Sequence, residues 1–366
     1  MSLSKMLVLA VPLMLAATPP GAAGPNHGLG ALQECLAASA KAGRLSGIVA
    51  VGRGGALAAS DAFGHPDPAG RLSFSPRTPF NIASAGKMFT AVAIGQLVEK
   101  RKLSFDQPIG HVMAGLPASI GKITIDQLLT HRSGLGDYLR PENAEAIRAA
   151  RTASDLLPLA IRDGFAFAPG SKQQYSNSGY VVLGAVIEKL SGMSYADYVR
   201  THIFVPAGMS AADLAGTAPR ATAMTKHQPD GSMASVARPA PEIGGRRGGP
   251  AGGAVASALD MVKFGEALRS GKLLSRSIVE QLWAARVPGQ SRDGAQVSYA
   301  YGFVRMDYPD GRWAVGHGGG SLGINAEFDL FPASGETIVA LSNYDPPSAT
   351  DAMAMARRAI LGQPPC

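Results

Sequence analysis

Apolar residues recur at three- and four-residue intervals from Leu29 to Arg44, a spacing that lines one face of a helix. Two short strand-like runs follow, Ser46 to Gly52 and Ala56 to Phe63, and predict a hairpin. From Ser84 to Glu99 the positions Met88, Ala91, Val92, Ile94, Leu97 and Val98 read as a helix, and helical spacing dominates to about Glu280. Thr124 to Gln127 forms a capping box for a helix that reaches His131, and Ser257 to Asp260 forms another for a helix ending near Arg269. The tail then changes period. Tyr299 to Met306, Arg312 to Gly318, Gly323 to Phe331 and Thr337 to Ser342 read as strands, separated by the turns Pro309-Asp310-Gly311 and Pro332 to Gly335, before a last helix from Ala349 to Leu361. Strands at both ends with helices between them predict an α+β fold, an antiparallel sheet built from both termini with a helical region inserted. The expected boundaries are 24–83 and 286–366 for the sheet and 84–285 for the helical part. Pro229 to Gly253, rich in Gly, Pro and Arg, is expected to be a long loop. Arg246 and Arg247 on it read as solvated charges, with a substrate carboxylate as the alternative partner.

The opening residues read as an address rather than as structure. Lys5, the apolar run Met6 to Ala17 and the small residues Gly21-Ala22-Ala23 form a secretory signal-peptide pattern over 1–23, which predicts an exported, periplasmic or extracellular protein. No other apolar stretch approaches the length of a spanning helix, so the mature chain is expected to carry no membrane span. With 46% hydrophobic and 17% charged residues, the composition is that of a globular protein rather than a disordered one. The net charge of +7 is spread along the chain without an arginine stripe, which gives nucleic-acid binding no support. Only two cysteines occur, Cys35 and Cys366, which excludes a disulfide-dense scaffold and a cysteine-rich zinc site. They pair in an oxidising compartment, or Cys35 is a small buried hydrophobe and Cys366 a terminal thiol. The spacing leaves both open, as it does the oligomeric state.

Three short motifs carry chemistry. In Ser84-Ala85-Gly86-Lys87, residues three apart on a helix share a face, so a hydroxyl and an amine can touch where a helix N-terminus also favours negative charge. The same spacing occurs at Ser2 to Lys5, within the leader, and at Ser119 to Lys122, where Pro117 and Gly121 speak against a helix. Tyr175-Ser176-Asn177, the only Tyr-x-Asn in the chain, stands before a helix expected from Gly179 to Leu190. His317-Gly318-Gly319, followed by Gly320, lies on a tail strand where missing side chains let a ligand approach the backbone. Taken singly, the second motif is an ordinary helix cap and the third a tight bend.

In the order Ser-x-x-Lys, Tyr-x-Asn, His-x-Gly, these motifs resemble those of the serine β-lactamase and penicillin-binding-protein superfamily. The likeness extends to Phe80 to Ser84, Leu128 to Leu135, Tyr175 to Tyr180, and Gly252 to Ser257 with Asp260, so it covers nearly the whole mature chain. The chain looks most like the class C β-lactamase-like serine hydrolases, a branch that includes D,D-peptidases, D-amino-acid peptidases and carboxylesterases. The resemblance implies a β-lactamase/transpeptidase-like fold with Ser84 as nucleophile and Lys87 and Tyr175 as the proton-handling pair. It further implies Asn177 as a substrate and network ligand and His317 as the basic residue of the third motif. Gly318, Gly319 and Gly320 would form a substrate-binding strand, with the N–H groups of Ser84 and Gly320 as the oxyanion hole. Lys87 is expected to be buried enough for its pKa to fall, and whether Lys87 or Tyr175 takes the proton stays open. Many relatives carry Thr or Ser where Gly318 stands, with a hydroxyl that helps hold a substrate carboxylate; its loss favours an ester or another amide.

The expected function is therefore an exported serine hydrolase that forms an acyl-enzyme on Ser84 and hydrolyses an ester or amide of a small molecule or peptide. The alternatives are a D,D-peptidase or β-lactamase, or a penicillin-binding sensor module without turnover. No cofactor is implied. A rival signal, Gly319-Gly320-Ser321-Leu322-Gly323, matches the α/β-hydrolase nucleophile elbow, but a strand pattern follows it and no histidine comes after His317. His131 is expected to cap the end of its helix, and His27, His65, His111, His202 and His227 show no metal-ligand spacing.

Overall fold

The protein is described by a computed structural model over residues 27–217, 220–226, 233–236 and 248–366. The leader over 1–23 and the pair Arg246 and Arg247 lie outside those residues. Helix α1 (His27–Lys41) leads into β1 (Gly47–Arg53) and β2 (Ala56–Phe63). The helical region contributes α2 (Lys87–Glu99), α3 (Ile125–Leu129), α4 (Asn177–Ser191) and α5 (Ala258–Arg269) among shorter helices. The tail supplies β3 (Val287–Pro288), β4 (Gln296–Tyr299), β5 (Val304–Asp307), β6 (Trp313–Ser321), β7 (Ile324–Phe331) and β8 (Glu336–Ser342), and ends in α6 (Ser348–Ile360).

These eight strands form one antiparallel sheet in the order β2-β1-β8-β7-β6-β5-β4-β3. The N-terminal hairpin joins the tail through β8, with Gly47 opposite Ser342 and Arg53 opposite Glu336. This is the α+β architecture the periodicity predicts. Side chains alternate across the central strands and divide the interior in two. Ile48 and Ala50 of β1 with Val339 and Leu341 of β8 face α2 and α5, whereas Val49, Ile338 and Ala340 face α1 and α6. Every residue of α2 from Lys87 to Leu97 is buried, as expected of a helix apolar on nearly all sides.

Both predicted capping boxes are present, at Thr124 with Gln127 and at Ser257 with Asp260. Three expectations are corrected. Tyr299 to Met306 is not one strand but a hairpin, because Gly302 (φ +70°) packs against α2, where a Cβ would stand 2.5 Å from that of Ala91. Ser119 does lie on a helix, the single turn Ala118–Gly121, because Pro117 takes the N-cap position. The Ser84 helix opens as a 3-10 turn, Ala83–Gly86, before α2. The question left open for the cysteines is resolved by a disulfide joining Cys35 of α1 to Cys366, with Cα atoms 5.9 Å apart.

Candidate active site

The turn that presents Ser84 is fixed from three sides. The two-residue strand Phe80–Asn81 pairs with Val255–Ala256, and Asn81 Oδ1 accepts the N–H of Ala83 at 2.8 Å. Ala83 is thereby held at φ +43°, a left-handed conformation that a non-glycine residue adopts only under constraint. Beneath it, Gly253 N–H donates to Ala83 O at 3.0 Å, and a Cβ on Gly252 would stand 2.5 Å from that same oxygen. Only glycine lets this loop approach so closely, and the approach brings the carbonyl of Ala251 under the site.

Lys87, three residues beyond Ser84, turns back toward it. Its Nζ donates to Ser84 Oγ (3.1 Å), Asn177 Oδ1 (2.7 Å) and Ala251 O (2.5 Å). The residue is 0% exposed, and burial drives its pKa from the ordinary 10.5 down to about 7, with the carboxylate of Asp137 opposing the fall. Asp137 also accepts Asn177 Nδ2–H at 2.8 Å, which fixes the amide so that its oxygen faces the lysine. Asn177 opens α4, whose N-cap is Ser176: the Ser176 hydroxyl accepts Gly179 N–H at 3.2 Å.

Tyr175 precedes that cap and donates its hydroxyl to Ser84 Oγ at 2.8 Å. The residue is 40% exposed toward the cleft, and desolvation of the phenol raises its pKa above the ordinary 10, opposed by the bond to Ser84. Below it lies His131, stacked on the Tyr175 ring with centroids 4.4 Å apart. His131 Nδ1 accepts the N–H of Ser176 at 3.2 Å, which places the hydrogen of the neutral ring on Nε2. Burial, reinforced by the charge of Lys87, keeps the His131 pKa well below 6.5. The expectation that His131 caps its own helix is thus corrected. At φ +58° the residue lies past the end of α3, and its ring supports the Tyr175-Ser176 backbone.

His317 lies on β6 and lines a cavity together with Ser84 and Tyr175, but its Nδ1–H donates to the Gly318 carbonyl rather than to either of them. Burial, then the charge of Lys87, lowers its pKa to about 4, so the ring is neutral at neutral pH. The glycines that follow serve by what they lack. A Cβ on Gly319 would fall 2.4 Å from Ile82 O and 2.7 Å from Ser84 N, so β6 lies directly against the turn that presents Ser84. Ser321 ends β6 and Gly323 (φ +66°) turns the chain into β7, a strand-turn-strand unlike a nucleophile elbow.

Ser84, Tyr175 and Gly320 line two cavities at once. One, of about 370 Å³, opens toward the helical region and is walled by Asp137, Tyr138, Leu156 and Tyr195. The other, of about 1020 Å³, runs along the sheet past His317, Arg292 and Glu327. A bond held at Ser84 can therefore place one half of its molecule in each. Such an arrangement has the parts of acyl transfer: an alcohol with an adjacent amine, a phenol in contact with the same oxygen, and backbone N–H groups at the turn. Asp137, Ala251 and His131 belong to it without having been singled out for it by sequence. The first two have no local pattern, and Ala251 acts through its backbone alone. Among the described residues no cluster of His, Cys, Asp and Glu could hold a metal ion, and no helix is long and apolar enough to cross a membrane.

The Beta-lactamase family profile matches residues 32–362 of the chain. The chain is similar to PbpX of Bacillus subtilis (strain 168), which bears a penicillin-binding-protein name, at 32% identity over 297 residues covering 81% of this chain and 70% of that protein. Among solved structures, it is similar to the penicillin binding protein from Bacillus halodurans, at 31% identity and a TM-score of 0.76, covering 89% of this chain and 98% of that one. It is also similar to a D-stereospecific amidohydrolase from Streptomyces sp., at 26% identity and a TM-score of 0.73, covering 91% and 99%.

Proposed function

The chain belongs to the beta-lactamase family and is a serine hydrolase, and from that premise we propose that it hydrolyses an ester or amide through an acyl-enzyme on Ser84. The observation that carries this reading is the double contact on one oxygen: Ser84 Oγ lies 3.1 Å from Lys87 Nζ and 2.8 Å from Tyr175 Oη. Lys87 is the base. With a pKa of about 7 it is substantially unprotonated at neutral pH, whereas the phenol, pushed upward by desolvation, keeps its proton. A neutral amine has two hydrogens and one lone pair. Donating the two to Asn177 Oδ1 and Ala251 O leaves the lone pair for the Ser84 hydroxyl.

Ser84 Oγ then bonds to the substrate carbonyl carbon as its proton passes to Lys87, and the carbonyl electron pair moves onto oxygen, facing the N–H groups of Ser84 and Gly320. When the tetrahedral carbon expels the leaving group, Tyr175 hands it a proton and recovers one from Lys87. Water enters, loses a proton to the same pair, and releases the acid with Ser84 regenerated. The leader pattern from Lys5 to Ala23 and the Cys35–Cys366 disulfide support an exported protein.

The penicillin-binding names of two relatives favour a second reading, a D,D-peptidase or β-lactamase acting through the same acyl-enzyme. A chromogenic ester, a chromogenic cephalosporin and a D-alanyl peptide, offered in turn while mass spectrometry follows Ser84, separate the two. Rapid turnover of the ester alone supports the first reading, and a persistent adduct without turnover supports a binding module. Ser84→Ala is expected to lower turnover at least about a thousand-fold. Turnover that survives this substitution refutes the mechanism.

A further inference from the structure

Gly318 has no side chain, yet the place a side chain would fill is taken. Gly318 and Glu327 are register partners on β6 and β7, so their side chains project from the same face of the sheet. A Cβ built on Gly318 would stand 2.7 Å from Glu327 Oε1 and 2.8 Å from Oε2. The pairing of β6 with β5 ends at Gly316 opposite Val304, and past that point β6 borders the sheet-side cavity that also holds Ser84 and Tyr175. A substrate group lying beside Gly318 therefore meets a carboxyl group.

That carboxyl is incompletely neutralised. Glu327 is only 6% exposed, and its Oε1 accepts the Thr350 hydroxyl of α6 at 2.8 Å. Among the described residues the buried cation nearby is Arg357, whose Nε donates to Asp329 and whose Nη1 donates to Asp293 at 3.0 Å. Its Nη2 stops 4.0 Å from Glu327 Oε2 and makes no hydrogen bond. Three carboxyl groups thus share one guanidinium, and Glu327 has the weakest share. Arg292 lines the same cavity from the turn between β3 and β4, but it is exposed and reaches only Met306 Sδ, at 3.6 Å. Solvent screens its field far more than that of a buried acid.

We infer that Glu327 is a specificity-determining residue of the sheet-side subsite: it excludes substrates that carry a carboxylate beside the scissile bond and admits those with an uncharged or ammonium-bearing group there. The inference rests on the serine-hydrolase reading and deepens it by naming the substrate class. Two like charges about 6 Å apart at an effective dielectric constant near 20 repel enough for roughly a hundred-fold in rate, and partial compensation by Arg357 brings the expected discrimination to about ten-fold.

The test uses two esters with the same acyl group, the phenylacetyl esters of 3-hydroxybenzoic acid and of 3-hydroxybenzamide, with kcat/KM measured at pH 8. The ratio of the two values within one enzyme does not depend on how much of that enzyme is folded. The wild type is expected to prefer the benzamide ester about ten-fold or more, and Glu327→Gln, which keeps the contact with Thr350, to bring the ratio within about three-fold. The double variant Gly318→Thr with Glu327→Ala restores a hydroxyl in the vacated space and is expected to move the preference further toward the carboxylate. A wild-type preference for the carboxylate ester overturns the inference, as does a ratio that Glu327→Gln leaves unchanged. If neither ester shows turnover that disappears in Ser84→Ala, the hydrolase reading itself fails and the inference falls with it.

Discussion

Replacing Asp137 by Asn isolates the charge that tunes Lys87, the proposed base. A lysine with its ordinary pKa of 10.5 is unprotonated in only about 0.03% of molecules at pH 7. At a pKa of about 7 the fraction is near one half, so burial of Lys87 multiplies the supply of free amine by roughly a thousand. The profile of kcat/KM against pH should therefore rise with unit slope at acid pH and level off above about 7, since this parameter reports ionisations of the free enzyme. The Asp137 carboxylate opposes the fall of the Lys87 pKa, and it also holds Asn177 at 2.8 Å. An asparagine side-chain oxygen can still accept that bond, so Asp137→Asn removes the charge with little change of shape, at the cost of the bond that Asp137 Oδ1 accepts from Leu139 N–H at 3.0 Å. With the opposing carboxylate gone, the midpoint of the rise should move to lower pH. Stopped-flow hydrolysis of a neutral ester between pH 5 and 9 measures both curves. A midpoint that stays fixed or moves upward refutes the assignment of Lys87 as base, and a limb found only at alkaline pH transfers the role to Tyr175.

Three further expectations follow from the same geometry. Tyr175→Phe keeps the stack on His131 and removes only the hydroxyl 2.8 Å from Ser84, so kcat should fall about 10²- to 10⁴-fold while the melting temperature barely changes, as steady-state kinetics and calorimetry will report. Gly319→Ala forces a methyl group to within 2.4 Å of Ile82 O; a loss of about 1–3 kcal/mol in urea unfolding and a marked loss of kcat are expected, and wild-type kinetics would show that β6 does not press on the Ser84 turn. Cys35→Ser opens the disulfide to Cys366, and neither cysteine lines the cavities at Ser84; denaturant unfolding should show a loss of about 2–5 kcal/mol while kcat remains unchanged.

Local signals survived into the structure wherever the forces that set them are local. The strand Ala56–Phe63 and the capping boxes at Thr124 and Ser257 formed where the pattern placed them, because alternation and end-capping act over a few residues. The three motifs were visible because their chemistry sits in side chains at short spacing. The break at Gly302 was not, since it comes from contact with α2, more than two hundred residues earlier. Asp137, Ala251 and Glu327 were invisible for a related reason: each reaches the site through a partner remote in sequence or across strands, at Asn177, Lys87 and Gly318 respectively. His131 drew notice for its place at a helix end, but its task is set by Tyr175 and Ser176, over forty residues on.

The placement of β8 between β1 and β7 has a bearing on how the chain matures. As the polypeptide is synthesised, the hairpin of β1 and β2 emerges early, yet the strand it must pair with begins at Glu336. Until then one edge of β1 is an open ladder of amide and carbonyl groups, prone to adhesion with other chains. The central sheet thus stays unfinished while the whole helical region between β1 and β8 is made, and a chaperone that shields the opening hairpin would act on the interval when the molecule is most vulnerable.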